Sequence, residues 1–438
     1  MRIVKVDESS KKDILNTLLK RSPNNYSEYE SVVNDILADI KANGDKALFD
    51  YTKKFDKFDI NADNIKVTEE EIKKAYDSLE DKEFINVIRR SIKNIEEYHN
   101  KQKQYSWFDS KPDGSLLGQK ITAIEKAGVY VPGGKAAYPS SVIMNVIPAK
   151  VAGVEKIVMC TPANSQGEVN PNTLIAANEA GVDTIYKVGG SQAIAAMAYG
   201  TESIEKVDKI VGPGNIYVAL AKKAVFGYVS IDSVAGPSEI LVLADESANP
   251  RYVAADMLSQ AEHDEMASAI LITDSEKLAK EVSEYIDLFT SKLIRKEIIK
   301  ESINNYGYIM VCDNMDEAID VANEIASEHL EILTKNPFDI MTKIKNAGAI
   351  FIGEYSSEPL GDYFAGPNHV LPTNGTAKFF SPLSVDDFIK KSSIISYSKE
   401  ALSKVNEDIM TFAKKEGLTA HANSIRVRFD NNDDLDTI

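Results

Sequence analysis

The feature that most constrains the fold of this chain is a repeated alternation of short apolar runs, glycine turns and helical stretches. From Ala123 to Ala244 the runs are AGVYVPGG, KIVMCTP, TIYKVGG, KIVGPGN and EILVLAD. A second series has SAILITD, YGYIMVC, LEILTK and GAIFIG, separated by helical patterns such as DEAIDVANEIAS. Strands that alternate with helices form mostly parallel sheets. The sequence therefore predicts an α/β protein with two α/β domains.

The segments on either side of this region are predicted to be mainly helical. From Ser27 to about Gln104, apolar residues recur every three or four positions, and Gly44 is predicted to end the first helix. After about Pro382 the pattern is again helical, and NSIRVRF predicts a last strand. The predicted parts are a helical N-terminal region (1–120), a first α/β domain (121–244), a second α/β domain (245–381) and a C-terminal helical tail (382–438).

Charge and apolar runs limit the expected partners and location. The 438 residues include 50 Lys and Arg against 67 Asp and Glu, a formal net charge of −17, which repels nucleic acid. The N-terminus lacks the apolar core of a signal peptide, and the uncharged run from Ala136 to Ala149 is too short for a membrane helix. Cys160 and Cys312 lie in apolar runs, as buried reduced thiols do. We expect a cytoplasmic protein that binds no membrane.

Three glycine turns mark candidate sites for an anionic ligand. VPGGKAAYP, VGGSQAIAAMA and VGPGNIYVALAK each end a predicted strand and open a predicted helix. Free backbone N–H groups and the helix dipole favour a phosphate at such positions. None matches the GxGxxG dinucleotide fingerprint, so a tight turn that needs small residues is also an adequate explanation of any one of them. Three such turns in the first α/β domain make it the candidate nucleotide-binding domain.

The stretch MLSQAEHDEM is a candidate metal-binding segment. Periodicity predicts a helix from Tyr252 to Ala267, on which Gln260 and His263 are three positions apart and can face one point. The two side chains could share a metal ion. A polar helix face is the more frequent explanation of such a pair, because glutamine is an uncommon zinc ligand.

Three further segments combine a histidine with a carboxylate. In ASEHLEI, Glu328 and His329 lie where a predicted helix gives way to a strand, a place suited to catalytic bases or to a solvated helix terminus. The loop PLGDYFAGPNHVLPT and the segment EGLTAHANSIRVR carry two more pairs, Asp362 with His369 and Glu416 with His421. The fifth histidine, His99, is predicted to be an exposed helix residue.

The distribution of the histidines favours one shared site. The chain has only five, and four of them fall in these polar segments with an acid nearby. Nitrogen and oxygen ligands suit zinc better than calcium. The candidate ligands of a divalent cation are Gln260, His263, Asp362 and His421.

Eight motifs taken together resemble the histidinol dehydrogenase family. They are VYVPGG, VGGSQAIAAMAYGT, VGPGN, AGPSEILVLAD, LSQAEHD, SEHLEI, GDYFAGPNHVLPT and EGLTAHANSIRVR. Their order and spacing are like those of the family over nearly the whole chain. The resemblance implies two Rossmann-like α/β domains in an aldehyde-dehydrogenase-like architecture, with a helical N-terminal segment and a small C-terminal dimerisation tail.

The resemblance implies an NAD-dependent dehydrogenase that contains zinc. Such enzymes oxidise L-histidinol through histidinaldehyde to L-histidine, the final step of histidine biosynthesis, with two NAD+ and one water. Zinc, one ion per subunit, would orient the substrate. Its ligands would be Gln260, His263, Asp362 and His421. By the same resemblance His329 takes the hydroxyl proton, and Glu328 activates the water.

The resemblance also implies further contacts and a homodimer. The substrate-binding residues would be Ser238, Gln260, His263, His329, Asp362, His369, Glu416 and His421. The NAD-binding residues would be Tyr130, Gln192 and Asn215. In the family the C-terminal segment crosses to the partner subunit, so Glu416 and His421 would complete the partner's site.

Three other functions are alternatives. A zinc- and NAD-dependent dehydrogenase of another small polar alcohol, such as a sulfonated diol, would keep the metal ligands and change the substrate contacts. The presence of His369 and Glu416 favours the imidazole substrate. A metal-dependent hydrolase would use Glu328 to activate water and would need no nucleotide. In a noncatalytic small-molecule binding protein the histidines would be structural polar residues.

Overall fold

The computed structural model of the protein describes residues 1–21, 27–133 and 138–430. Two compact units are present, one of residues 1–103 and 124–388 and the other of residues 104–123 with those from 389 onward. None of the described helices is long and apolar enough to cross a membrane. Part of the turn VPGGKAAYP, the first residues of the apolar run at Ala136, and the acidic end after Asp430 lie outside the described residues.

Strands and helices alternate along most of the described chain. The strands are β1 (Arg2–Lys5), β2 (Trp107–Ser110), β3 (Leu116–Ala123), β4 (Lys126–Tyr130), β5 (Lys156–Cys160), β6 (Thr184–Tyr186), β7 (Lys209–Val211), β8 (Ser230–Ile231), β9 (Glu239–Ala244), β10 (Ser268–Thr273), β11 (Gly307–Val311), β12 (His329–Leu333), β13 (Ala349–Ile352) and β14 (Ile389–Ser396). The helices are α1 (Glu8–Leu19), α2 (Ser27–Phe55), α3 (Glu69–Ser78), α4 (Glu83–Asn100), α5 (Pro139–Ala152), α6 (Pro171–Ala180), α7 (Gly190–Tyr199), α8 (Ile216–Val225), α9 (Pro250–Ala261), α10 (Glu276–Thr290), α11 (Lys296–Tyr306), α12 (Met315–Ile325), α13 (Pro337–Met341), α14 (Glu358–Tyr363), α15 (Lys399–Ser403), α16 (Asn406–Lys415) and α17 (Thr419–Arg426). The described residues also form short 3-10 helices at Thr376–Lys378 and Val385–Phe388.

The larger unit contains a six-stranded parallel sheet. Its strand order is β1-β11-β10-β9-β12-β13, and every neighbouring pair is parallel. The central strands β9, β10 and β12 bury every residue, because helices cover both faces. Alternate residues of β9 enter different apolar clusters: Ile240 and Val242 pack with α9 and α10, whereas Leu241 and Leu243 pack with α1 and α12.

The same unit contains a five-stranded parallel sheet of order β6-β5-β4-β7-β8. The chain runs from β4 outward to β6 and then returns to the other side of β4 with β7. This reversal is a topological switch point, and in open α/β sheets ligands bind beyond the carboxyl ends of the strands at such a point. The predicted α/β class with parallel sheets is confirmed.

Two strands pair differently from the prediction. The run EILVLAD was assigned to the first α/β series, but β9 lies between β10 and β12 of the six-stranded sheet. Likewise the N-terminal region, predicted as helical, contributes β1, which pairs with β11. Both assignments were wrong, for different reasons: the apolar run EILVLAD reveals a strand but not its partner, and β1 is a short, mostly exposed segment without such a run. The boundaries of the four predicted domains stay a prediction.

The N-terminal helices follow the predicted periodicity, with one error. Gly44 interrupts α2 with a positive φ of 52°, which confirms the predicted end of the first helix. His99 was predicted to be exposed but is fully buried. It lies on the buried face of α4 with Ser91 and Ile95, and its Nδ1–H donates to Gln102 Oε1 at 2.7 Å. His99 is buried because it follows Ser91 and Ile95 at intervals of four residues, on the same face of α4, although its side chain is polar.

The smaller unit has an antiparallel sheet of order β14-β3-β2 and helices α15 to α17. The tail predicted to be helical therefore contains a strand, β14, ahead of its helices α15 to α17. The segment NSIRVRF was predicted to be a strand, but its first four residues end α17. That prediction was wrong because the alternation at Ile425 and Val427 covers only two apolar positions. The buried Ala422 fixes the same segment as part of helix α17.

Candidate active site

Glu328 and His329 lie at the amino end of β12, inside the six-stranded sheet. Helix α12 ends at Ile325, and Ala326 follows in the left-handed conformation with a φ of 53°. Both side chains are held by the neighbouring strand: the N–H of Glu239 donates to Glu328 Oε2 at 2.8 Å, and its carbonyl accepts from His329 Nδ1 at 2.9 Å. Both side chains are buried. The predicted helix-to-strand junction is confirmed.

Burial and neighbouring charges shift both groups of this pair. Burial raises the pKa of Glu328 to about 8, against the opposing effect of His329. Burial alone would lower the pKa of His329, but the carboxylates of Glu328 and Asp362 outweigh it and raise the pKa to about 10. The Nδ1–H bond to the backbone fixes the ring, so Nε2 is the atom left for proton exchange.

Asp362 in α14 brings two imidazoles together. Its Oδ1 lies 3.7 Å from His329 Nε2 and 3.8 Å from His369 Nδ1. Burial would raise the pKa of Asp362, but the two imidazoles lower it. The loop that carries His369 is fixed by Asn368, whose amide donates to the carbonyl of Met144 at 2.6 Å. The structure therefore places three of the predicted site residues together.

Gln260 and His263 come from the end of α9. The helix ends at Ala261, so the predicted extension to Ala267 was wrong: the chain turns toward β10, and Asp264 caps that turn by accepting the N–H of Met266 at 2.9 Å. Gln260 is 1% exposed, and its Oε1 has no hydrogen-bond partner among the described residues. A buried carbonyl oxygen without a partner suits a ligand that the chain does not itself supply.

A group of possible cation ligands contains His263, Asp362 and Glu358, whose ligand atoms all lie within 4.8 Å of one another. Glu358 is not among the residues predicted from the sequence. Its Oε2 accepts from Ser259 Oγ at 3.1 Å, and its N–H donates to Glu331 Oε1 at 2.7 Å. Burial, followed by the charge of Asp362, raises its pKa to about 8. The available signal was spacing, because Glu358 precedes Asp362 by one helical turn.

The remaining predicted substrate contacts lie in two places. Ser238 directly precedes β9 and is next to Glu239, whose backbone holds the Glu328–His329 pair. The carbonyl of Ser238 accepts the N–H of Ser268 at 3.0 Å. Glu416 is the C-cap residue that follows α16 and His421 lies on α17, both in the smaller unit and both exposed. Their part in the site stays a prediction.

The three predicted nucleotide contacts lie near the carboxyl edge of the five-stranded sheet. Tyr130 ends β4, and its buried hydroxyl accepts the N–H of Gly190 at 3.0 Å. Gln192 is buried in the first turn of α7. Asn215 caps α8, where its side chain accepts the N–H groups of Tyr217 and Val218 at 3.1 and 3.2 Å. Their contact with a cofactor stays a prediction.

A cavity of about 970 Å³ opens at the same edge, beyond β4, β5 and β6. Residues that line it include Asp56, Pro132, Gly133, Thr161, Pro162 and Lys187. Asp56 has a buried Oδ2 without a hydrogen-bond partner in the described chain, and burial raises its pKa to about 6. Pockets of this size hold cofactor-sized ligands.

These features define an α/β enzyme that combines a buried base pair, a candidate cation site and a nucleotide-type sheet edge. The family model described as histidinol dehydrogenase matches residues 19–429. The chain therefore belongs to the histidinol dehydrogenase family, whose members are oxidoreductases.

Relatives and a solved structure agree with that assignment. A histidinol dehydrogenase of Caldanaerobacter subterraneus is 58% identical over 418 residues, 95% of this chain and 96% of the relative. The one from Bacillus subtilis is 58% identical over 411 residues, 94% of this chain and 96% of the relative. The crystal structure of histidinol dehydrogenase from Elizabethkingia anophelis has a TM-score of 0.91 at 39% identity and covers 98% of each chain.

Proposed function

We propose that the protein oxidises L-histidinol to L-histidine, the last step of histidine biosynthesis. The alcohol loses one hydride to NAD+ and becomes histidinaldehyde; water adds to the aldehyde, and a second NAD+ takes the second hydride. Two NADH and three protons are released for each histidinol. The observation that supports this most is the buried Glu328–His329 pair, held by the backbone N–H and carbonyl of Glu239 in β9, in a chain of this family.

The geometry supports separate roles for the two bases. In its neutral form, which the raised pKa makes a strong base, His329 keeps Nδ1–H on the carbonyl of Glu239, so Nε2 accepts the hydroxyl proton during the first oxidation. Asp362, 3.7 Å from Nε2, stabilises the imidazolium that results. Glu328 lies on the other side of the ring, 3.6 Å from Nδ1, and is buried enough to exist as a base of moderate strength. It takes the proton of the water that adds to the aldehyde.

We further propose one zinc ion per subunit. The residues described here fit such an ion: a buried amide oxygen without a partner and a converging imidazole and carboxylate are ligand types that zinc accepts. The proposed ligands are Gln260, His263, Asp362 and His421. When bound, the ion would hold the alcohol and polarise it. Glu358 would support the site through its contact with the same group.

We propose that NAD+ binds at the carboxyl edge of the five-stranded sheet. Tyr130, Gln192 and Asn215 lie there, beside the cavity of about 970 Å³. Two features support this location. The strand order reverses at β4, which has β5 on one side and β7 on the other. The N-termini of α7 and α8 also favour an anionic ligand.

We propose a homodimer in which the smaller unit of one subunit completes the site of its partner. His421 and Glu416 are exposed in the single chain, although a metal ligand and a substrate contact need a closed site. The smaller unit also exposes large apolar side chains, which suits an interface with a second copy. They include Trp107, Phe108, Ile395 and Phe412. A cytoplasmic location, where NAD+ is available and the two buried free cysteines stay reduced, completes the proposal.

The yield of NADH tests the proposal. Purified protein with limiting L-histidinol and excess NAD+ should form two NADH per histidinol and one histidine, and a zinc chelator should abolish the reaction. A sulfonated diol offered as the alternative alcohol should give no NADH. NADH from the diol with none from L-histidinol would overturn the substrate, and substrate turnover that needs no NAD+ would overturn the dehydrogenase.

A further inference from the structure

We propose that Arg21 and Glu239 are positioning residues for the Glu328–His329 pair, an inference that rests on the proposed function for its kinetic part. The backbone of Glu239 makes both hydrogen bonds that hold the pair: its N–H donates to Glu328 at 2.8 Å, and its carbonyl accepts from His329 at 2.9 Å. The orientation of both bases therefore depends on where the backbone of this one residue of β9 lies.

The side chain of Glu239 is itself anchored by a buried arginine. Arg21 follows α1 and is 0% exposed, and its Nη2 donates to Glu239 Oε1. Its Nη1 donates to the carbonyl of Met266 at 2.9 Å, and its guanidinium carbon lies 5.3 Å from the ring centroid of Tyr306. Glu239, Met266 and Tyr306 stand at the amino ends of β9, β10 and β11. Arg21 thus ties together the ends of three adjacent strands.

A buried arginine is a costly way to stabilise a fold, because desolvation of both charges offsets most of their attraction. An apolar pair of similar volume would do as well for stability alone. What the ion pair adds is a fixed direction, since the planar guanidinium donates along set lines to Glu239 and to the carbonyl of Met266. The group that gains from this fixed direction is the backbone of Glu239.

The consequence is a specific kinetic effect. Small misplacement of a catalytic group, of about 1 Å, lowers a rate by roughly 10²-fold without the loss of any substrate contact. Neither Arg21 nor Glu239 is assigned to substrate or NAD+ binding. Loosening their ion pair should therefore lower kcat for both oxidation steps, because both bases depend on the backbone of the same residue, and should leave KM nearly unchanged.

The test uses the full-length enzyme with three changes. In Arg21→Met with Glu239→Gln, the pair is lost without a stranded charge; kcat should fall at least about tenfold with each KM within about twofold of the wild-type value. Arg21→Lys keeps the positive charge, so its kcat should lie between that of the double variant and that of the wild type. Lys209→Met is the matched control, because Lys209 is also a buried cation at the amino end of a strand, paired with Asp387 at 3.0 Å. It should lower Tm and leave kcat unchanged.

A second readout does not depend on activity. In protein labelled with ¹⁵N-histidine, the Nδ1–H signal of His329, assigned by its absence in His329→Asn, should shift or broaden in the Arg21→Met/Glu239→Gln double variant. The Nδ1–H signal of His99, bonded to Gln102, is the internal reference and should stay. A folded double variant with wild-type kcat and an unchanged His329 signal would refute the proposal, as would equal kcat losses in it and in Lys209→Met. Absence of histidinol oxidation in the wild type would refute the proposed function, while the His329 signal would still decide the positioning role.

Discussion

Oδ1 of Asp362 lies 3.7 Å from Nε2 of His329, the ring atom that the backbone does not use. The same oxygen lies 3.8 Å from Nδ1 of His369, and Asp362 also belongs to the candidate cation group with His263. One carboxylate therefore faces the base, a second imidazole and the proposed ion. Its negative charge serves all three, which makes it the most sensitive single position of the site.

Substitution of Asp362 by asparagine should remove zinc and activity together. Asparagine keeps the shape but not the charge that attracts a cation and stabilises the imidazolium. We expect kcat/KM to fall by about 10²-fold or more, with little zinc left after dialysis, as measured by steady-state kinetics and metal analysis. Asp313→Asn removes an exposed carboxylate that pairs with Lys5 and should change neither quantity. Full zinc content in Asp362→Asn would contradict the proposed ligand.

Substitution of Glu328 by glutamine should separate the two oxidations. Only the second needs an activated water, so its rate should fall by roughly 10²–10⁴-fold, while the first should fall much less. Single-turnover NADH formation from L-histidinol and from supplied histidinaldehyde measures the two rates separately. His329→Asn is the matched variant and should mainly impair the first oxidation. An equal loss of both rates in Glu328→Gln would refute the division of roles.

Mixed dimers should show whether subunits share their sites. His421→Asn and Glu328→Gln should each form almost no histidine as homodimers. In a heterodimer of the two, one site would combine an intact Glu328 with the partner's intact His421, and the other would lack both. We expect about half of the wild-type activity per heterodimer, measured after purification through two different affinity tags. No recovery in a verified heterodimer would exclude the exchange of the C-terminal tail.

The sequence predicts the strands well and their partners poorly. Each buried strand of the two parallel sheets stands out as a short apolar run, because both of its faces are covered. Pairing depends on distant chain: β1 joins β11, and β9 joins β10 and β12. No local pattern carries that information, so EILVLAD was placed in the wrong series. His99 shows a related limit, because polarity suggested exposure while its face of α4 packs inside.

Within the site, side chains with distinctive chemistry could be found and supporting groups could not. The pairing of scarce histidines with carboxylates led to Glu328, His329 and Asp362, which do lie together. The backbone of Glu239 that holds two of them has no side-chain signature in the sequence. Arg21 is 218 residues from its partner Glu239, and nothing in its own segment indicates burial. Convergence of this kind is a property of the fold.

Asp56 should make the stability of the protein depend on pH. Burial raises its pKa in the folded state from 3.8 to about 6, so the folded protein binds this proton more tightly than the unfolded chain. The contribution of Asp56 is therefore fully present below about pH 4 and is lost as the pH rises to about 6.

Relative to the wild type, Asp56→Asn should gain about 1 kcal/mol in the free energy of unfolding between pH 4.5 and 7.5, after allowance for partial solvent contact. Urea unfolding at the two pH values measures this gain. Asp59→Asn, at a side chain 84% exposed, controls for the loss of a surface charge. If the difference in free energy of unfolding between Asp56→Asn and the wild type stays constant or shrinks as the pH rises, Asp56 is not held in an unfavourable charged state.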